Sequence, residues 1–157
     1  MLTYVADALK RFQHQRPCKP QDQPYPHIKP IYGAKVKYVA DANTSPPLNK
    51  YDKKFIHEVS GTFLYYAWAV DATMLSDLSF IATQQANPTK HTMAKVNQFL
   101  DYASTQPYAI ITYHASDMVL VVHIDASYLS EPKARSRAGG HFSCPAIPTL
   151  HQTTAPS

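Results

Sequence analysis

The chain has 157 residues, 45% of them hydrophobic, which is enough for one modest domain or parts of two and too few for a whole polymerase. Its formal net charge of +4 is mild, and its two cysteines, Cys18 and Cys144, lie far apart without zinc spacing, which argues against a disulfide framework and fits a reducing intracellular compartment. No basic leader with an apolar core opens the chain, and no apolar run approaches the roughly 18 residues of a membrane span, so a soluble protein in cytoplasm or nucleus is expected.

Leu2, Val5, Leu9 and Phe12 recur at helical spacing with Lys10 and Arg11 off that face, which predicts a short amphipathic helix over residues 2–13. From Pro17 to Pro47 the chain carries seven of its thirteen prolines. Proline stops helices and removes sheet donors, so a long irregular connection between modules is expected. Over residues 8–38 the basic residues Lys10, Arg11, Arg16, Lys19, Lys29, Lys35 and Lys37 stand against Asp22 alone. Such a segment fits either a polyanion contact or a solvated stretch.

Regular structure is expected again from Lys53, in a helix running to Val70 that is apolar nearly all round after its first turn. Asp71 can cap a second helix with Met74, Leu75, Leu78, Ile81 and Ala82 on one face, closed by Asn87-Pro88. Thr89 can cap a third with Met93, Val96, Leu100 and Ala103 inward and Pro107 beyond its end. The period then changes. Residues 109–113, a polar turn at 114–117 and residues 118–125 predict a hairpin whose second strand, apolar on both faces, is central and ends at Asp125. Residues 127–137 are expected as a polar loop, with a further strand beginning at Ala138. The fold class predicted is α+β: a short N-terminal helix (1–16), a proline-rich linker (17–52), a small helical bundle (53–107), an incomplete sheet (108–144) and a disordered tail (145–157).

Three blocks, in order, resemble one family. Tyr4-Val-Ala-Asp-Ala-Leu-Lys-Arg-Phe12 with Cys18-Lys-Pro20 is similar to the helix and exit that follow a polymerase palm. Phe55-Ile-His-Glu-Val-Ser-Gly-Thr-Phe-Leu-Tyr-Tyr66, Gln85-Ala-Asn-Pro-Thr89 and Phe99-Leu-Asp-Tyr102 resemble thumb and connection helices. His123-Ile-Asp-Ala-Ser-Tyr-Leu129 through Lys133-Ala-Arg-Ser-Arg-Ala-Gly-Gly-His-Phe142 resembles the opening of ribonuclease H. Together they resemble the Pol polyprotein of copia-type retrotransposons between reverse transcriptase and ribonuclease H. Pro145–Ser157 resembles nothing in that family.

The resemblance implies that Asp125 is the first metal-binding carboxylate of ribonuclease H, whose chemistry uses two Mg2+ ions about 4 Å apart held by several carboxylates. The bland alternative is a strand-end aspartate that caps the next turn. His123 with Asp125 and His141 offers another metal set, against packed strand histidines. His57, Gly61 and Tyr65, at i, i+4 and i+8, lie on one helical stripe. By resemblance they track an RNA–DNA duplex; alternatively Gly61 admits a packed helix and Tyr65 is core. Trp68 is expected in the core. Lys133, Arg135 and Arg137 alternate after Asp125 and fit either phosphate contact or a solvated turn.

No Tyr-x-Asp-Asp motif occurs, and Glu131 is the last acidic residue. The chain by itself is therefore expected to be a non-catalytic piece of the polyprotein, with weak RNA–DNA duplex affinity, the missing parts of the polyprotein as possible partners and no productively bound Mg2+. The alternatives are a hybrid nuclease completed by dimerisation or a partner chain, and a host-reused binding or structural module.

Overall fold

The computed structural model describes residues 3–25, 44–112, 115–131 and 135–144. Among the described residues, four α-helices precede a two-stranded antiparallel hairpin. The described residues up to Ile111 form one compact unit and those from Thr112 onward another.

The first helix, α1, runs Tyr4–Arg11 and buries Val5, Ala8 and Leu9. Leu2 lies outside the described residues. The helix ends where Gln13 takes a left-handed φ of 52° and His14 N–H reaches back to the carbonyl of Leu9 at 3.0 Å. That reach-back satisfies a carbonyl left without an intrahelical donor. It also turns His14 toward Asp101 on the last helix, with Nε2 and Oδ1 2.8 Å apart.

The described flanks of the proline-rich stretch are tied to the helices. Gln21 N–H donates to Thr105 Oγ1 at 3.2 Å, and Thr105 Oγ1 donates back to the Gln21 carbonyl at 3.1 Å. On the other side Leu48 N–H donates to the Pro88 carbonyl and Lys90 N–H to that of Pro46, forming a short bridge between Pro47 and Thr89. Residues 26–43 lie outside the described part.

Helix α2, Lys50–Ala69, starts three residues before its expected position because Asn49 caps it, its side chain accepting from Asp52 N–H at 2.8 Å. Apolar residues nearly all round this helix predict burial on several sides, an expectation that needs correction. Ile56, Val59, Ser60, Phe63, Tyr66 and Ala67 are buried, whereas Tyr51, Leu64, Tyr65 and Trp68 are exposed. The helix is two-faced, and its apolar residues are divided between core and surface.

Asp71 caps a 3₁₀ turn, Ala72–Met74, by accepting from Thr73 N–H at 3.1 Å, and α3, Leu75–Gln84, follows directly. Met74, Leu78 and Ile81 are buried as expected, but the face also buries Asp77 and leaves Ala82 exposed. Helix α4, Lys90–Thr105, begins in a capping box in which Thr89 and Thr92 each bond the other's backbone. It buries Thr92, Val96, Phe99, Leu100, Tyr102 and Ala103.

The helical core is centred on rings. Phe63 of α2 meets Phe99 of α4 edge-on at 5.2 Å between centroids, and Phe12 at the end of α1 packs on both Phe63 and Phe55. Each fully buried side chain of this size contributes roughly 1.5–3 kcal/mol through removal of apolar surface from water. No described helix is long and apolar enough to cross a membrane.

The predicted hairpin of residues 109–125 does not form. The described residues between 107 and 120 carry no strand; β1, Val121–Glu131, pairs instead with β2, Arg135–Ser143. Met118, three residues before β1, takes a left-handed φ of 56°, which lies outside the extended region a strand needs. The ladder runs from Val121 opposite Ser143 to Ser127 opposite Arg137, with an irregularity before the Glu131 and Arg135 pair. The stretch expected as a polar loop is thus largely strand. A connection between strands so close in sequence costs little closure entropy. This register also keeps the alternation of the two strands in phase. Nor is β1 a central strand: among the described residues it pairs with β2 alone, and its Ile124 and Tyr128 are 76% and 85% exposed.

Candidate nucleic-acid interface and the hairpin face

On α2, His57, Gly61 and Tyr65 are all exposed, in successive turns of one stripe. A Cβ added at Gly61 meets nothing within 4 Å. The packing explanation for this glycine therefore fails within the helical unit, and so does the assignment of Tyr65 to the core. Core residence also fails for Trp68, which is 84% exposed and extends the stripe by a further turn.

Tyr4 of α1 holds the edge of this surface. Its hydroxyl donates to the Thr62 carbonyl at 2.7 Å, its ring stacks on Tyr66 at 5.7 Å, and it lies 6.4 Å from the ring of Tyr65. At the basic end of α2, Glu58 receives both Arg11, at 3.8 Å, and Lys54, at 3.7 Å. Leu64 and Trp68 were legible as stripe members by their spacing from Gly61, but a run of large apolar residues reads as core when composition alone is weighed.

Asp77 is the most perturbed ionisable group outside the stripe. It is 3% exposed, and its Oδ2 has no hydrogen-bond partner. Desolvation raises its carboxyl to about 7, although Lys95 on α4 opposes part of the rise. The Lys95 ammonium also sits 3.5 Å from the centroid of the Phe80 ring. Asp77 belongs to the packing of α3 with α4, away from the α2 stripe in sequence and on a different helix.

In the hairpin, Asp125 lies inside β1 opposite Gly139 rather than at a strand end, so the strand-end placement is corrected. It is exposed, and its Oδ1 accepts from the amide of Ala126 at 2.9 Å. Period-two alternation puts His123, Asp125 and Ser127 on one face with Arg137 and His141. These five residues border one shallow concavity, to which Ile124, Gly139 and Gly140 also contribute. Ser127 Oγ donates to the Arg137 carbonyl and accepts from the Arg137 amide, both at 3.3 Å.

His123 and His141 are direct cross-strand partners. Val122, Ile124, Ala126 and Tyr128 fall on the opposite face with Ala138 and Phe142.

Among the described residues no group of three or more His, Cys, Asp or Glu side chains is placed to hold a metal ion. A two-Mg2+ centre at Asp125 therefore does not fit the described residues, and the three-ligand set of His123, Asp125 and His141 is not assembled. Arg137 lies in β2 on the Asp125 face, Arg135 opens β2 and is described in its backbone alone, and Lys133 lies outside the described residues. The phosphate-contact row is thus brought to the hairpin only in part.

No family model, no curated protein and no solved structure matches the chain.

Proposed function

We propose that this chain is a non-catalytic segment of a copia-type Pol polyprotein, with the α2 stripe of its helical unit as a weak RNA–DNA duplex contact. The ordered resemblance of three sequence blocks supports the ancestry. The observation that carries the contact is the open stripe of His57, Gly61 and Tyr65, with clear space beside the glycine. A missing side chain lets a sugar–phosphate backbone approach the helix, while an imidazole above and a phenol below supply hydrogen bonds and a stacking face.

Catalysis is assigned to none of these residues. Phosphodiester hydrolysis by the two-metal route needs several converging carboxylates, and Asp125 brings one.

The test is fluorescence anisotropy of a labelled RNA–DNA hybrid with the full chain across a salt series. Affinity is expected to fall with rising salt as phosphate contacts release counterions. His57→Ala and Tyr65→Ala should each weaken it by about 1 kcal/mol or more, roughly fivefold, with the helical circular dichroism retained. Salt-independent binding, or unchanged affinity in both variants, would sink the proposal. Magnesium-dependent hybrid cleavage abolished by Asp125→Asn would instead establish the nuclease reading.

A further inference from the structure

We propose that the cross-strand pair His123 and His141 on the hairpin is a two-imidazole chelate for a borderline transition-metal ion of the Zn2+, Ni2+ or Cu2+ class. The site is independent of the duplex contact on α2 and of any Mg2+ chemistry at Asp125. It uses different residues and nitrogen rather than oxygen donors.

The register carries the argument. Directly opposed residues of an antiparallel pair have Cβ atoms roughly 4.5–5.5 Å apart and side chains on one face. His123 and His141 are such a pair. They also border the same concavity. Both are exposed, so ring rotation to a common point meets solvent rather than packed neighbours. A metal–nitrogen distance of about 2.0–2.1 Å lets two imidazoles from this spacing converge on one ion, with water in the remaining positions.

The donor type selects the ion. Imidazole suits zinc, copper and nickel, whereas magnesium and calcium require oxygen ligands. The neighbouring charges on the face are Asp125, two residues along the same strand, and Arg137. Asp125 already accepts from the Ala126 amide through Oδ1, and so contributes a negative charge beside the site more readily than a full bidentate ligand.

The backbone gives such a chelate a structural consequence. A two-stranded ribbon is marginal in water, and an ion bridging the strands near the middle of the ladder fixes their register. Binding and hairpin formation are therefore linked, and the metal raises the protection of the β1 and β2 amides as it binds.

The experiment is titration of the full chain with Zn2+, followed by calorimetry and by amide resonances of β1 and β2. One ion per chain is expected, with shifts centred on His123 and His141. His123→Ala and His141→Ala should each lower affinity by at least the roughly 10- to 100-fold that loss of an outer-shell partner costs.

A paired variant, Gly140→His with His141→Ala, keeps the histidine count but moves one imidazole to the opposite face. It should bind no better than His141→Ala alone. Retained tight binding in that variant, or in either single alanine variant, overturns the proposal. Loss of binding in Cys144→Ser with both histidines present does so as well, because the thiol would then be the ligand. Hairpin amide shifts recorded without metal show whether each variant still pairs its strands. A variant whose strands pair normally and whose zinc affinity equals that of the unaltered chain counts against the chelate.

Discussion

Gly61 separates helix stability from surface use. It sits inside α2, where glycine costs roughly 0.5–1 kcal/mol relative to alanine, and a Cβ there meets no neighbour. Gly61→Ala should therefore raise the thermal midpoint of the helical unit while weakening hybrid binding, as read by paired melting and anisotropy measurements. A variant that is more stable and binds equally well would show that the open space has no role in duplex contact.

Asp77 makes a prediction of the opposite sign to the usual carboxylate. Its folded carboxyl titrates at about 7 against an ordinary value of 3.8, so the folded state holds the proton more tightly than the unfolded chain. Stability is then greatest below the unfolded value and is lost as pH rises through the folded one. A shift of this size corresponds to a loss on the order of 3–4 kcal/mol between pH 4 and pH 8. Urea midpoints measured across that range should fall with pH, and Asp77→Asn should flatten the curve and exceed the native chain in stability at pH 8. An unchanged slope in Asp77→Asn would place the titrating group elsewhere.

At the scale of elements, Phe63 joins three helices. It is fully buried on α2, packs edge-on against Phe99 of α4 and faces Phe12 at the end of α1. Phe63→Ala should cost about 3–5 kcal/mol, the range for emptying a packed aromatic site. Chemical denaturation with a helical readout checks the magnitude, and a loss below about 1 kcal/mol would show that the site collapses around the gap. The same junction explains how far the helices could be anticipated. Caps at Asp71 and Thr89 are local hydrogen-bond chemistry, so their positions followed from residue type. The exposed side of α2 did not, because Leu64, Tyr65 and Trp68 have the same character as the residues opposite them, and only the neighbours of each face distinguish the two.

At the scale of the whole molecule, the helical unit and the hairpin differ in how they are held. The buried hydrophobic cluster of the described residues lies entirely within α1, α2, α3 with its 3₁₀ turn, and α4. β1 and β2 share backbone hydrogen bonds but contribute no residue to that cluster. Native-state hydrogen exchange should accordingly protect the central amides of α2 and α4 far more than those of Val121–Ser127. Equal protection in both units would show that the hairpin is held by more than its own ladder.

The sequence by itself determined the caps at Asp71 and Thr89, most of the inward positions of α3 and α4, and the presence of extended structure around Asp125, because these depend on neighbours within a few residues. It also placed His57, Gly61 and Tyr65 on one stripe, since helical period needs no tertiary information. Tertiary structure alone decided which side of α2 faces water, that Asp77 is buried, and that β1 pairs forward with β2 rather than back across residues 114–117. Those outcomes depend on which of several competing partners a segment meets, which the pattern of that segment alone does not specify. The cross-strand placement of His123 against His141 belongs to that second group, because one residue of slip would send one of the two imidazoles to the opposite face.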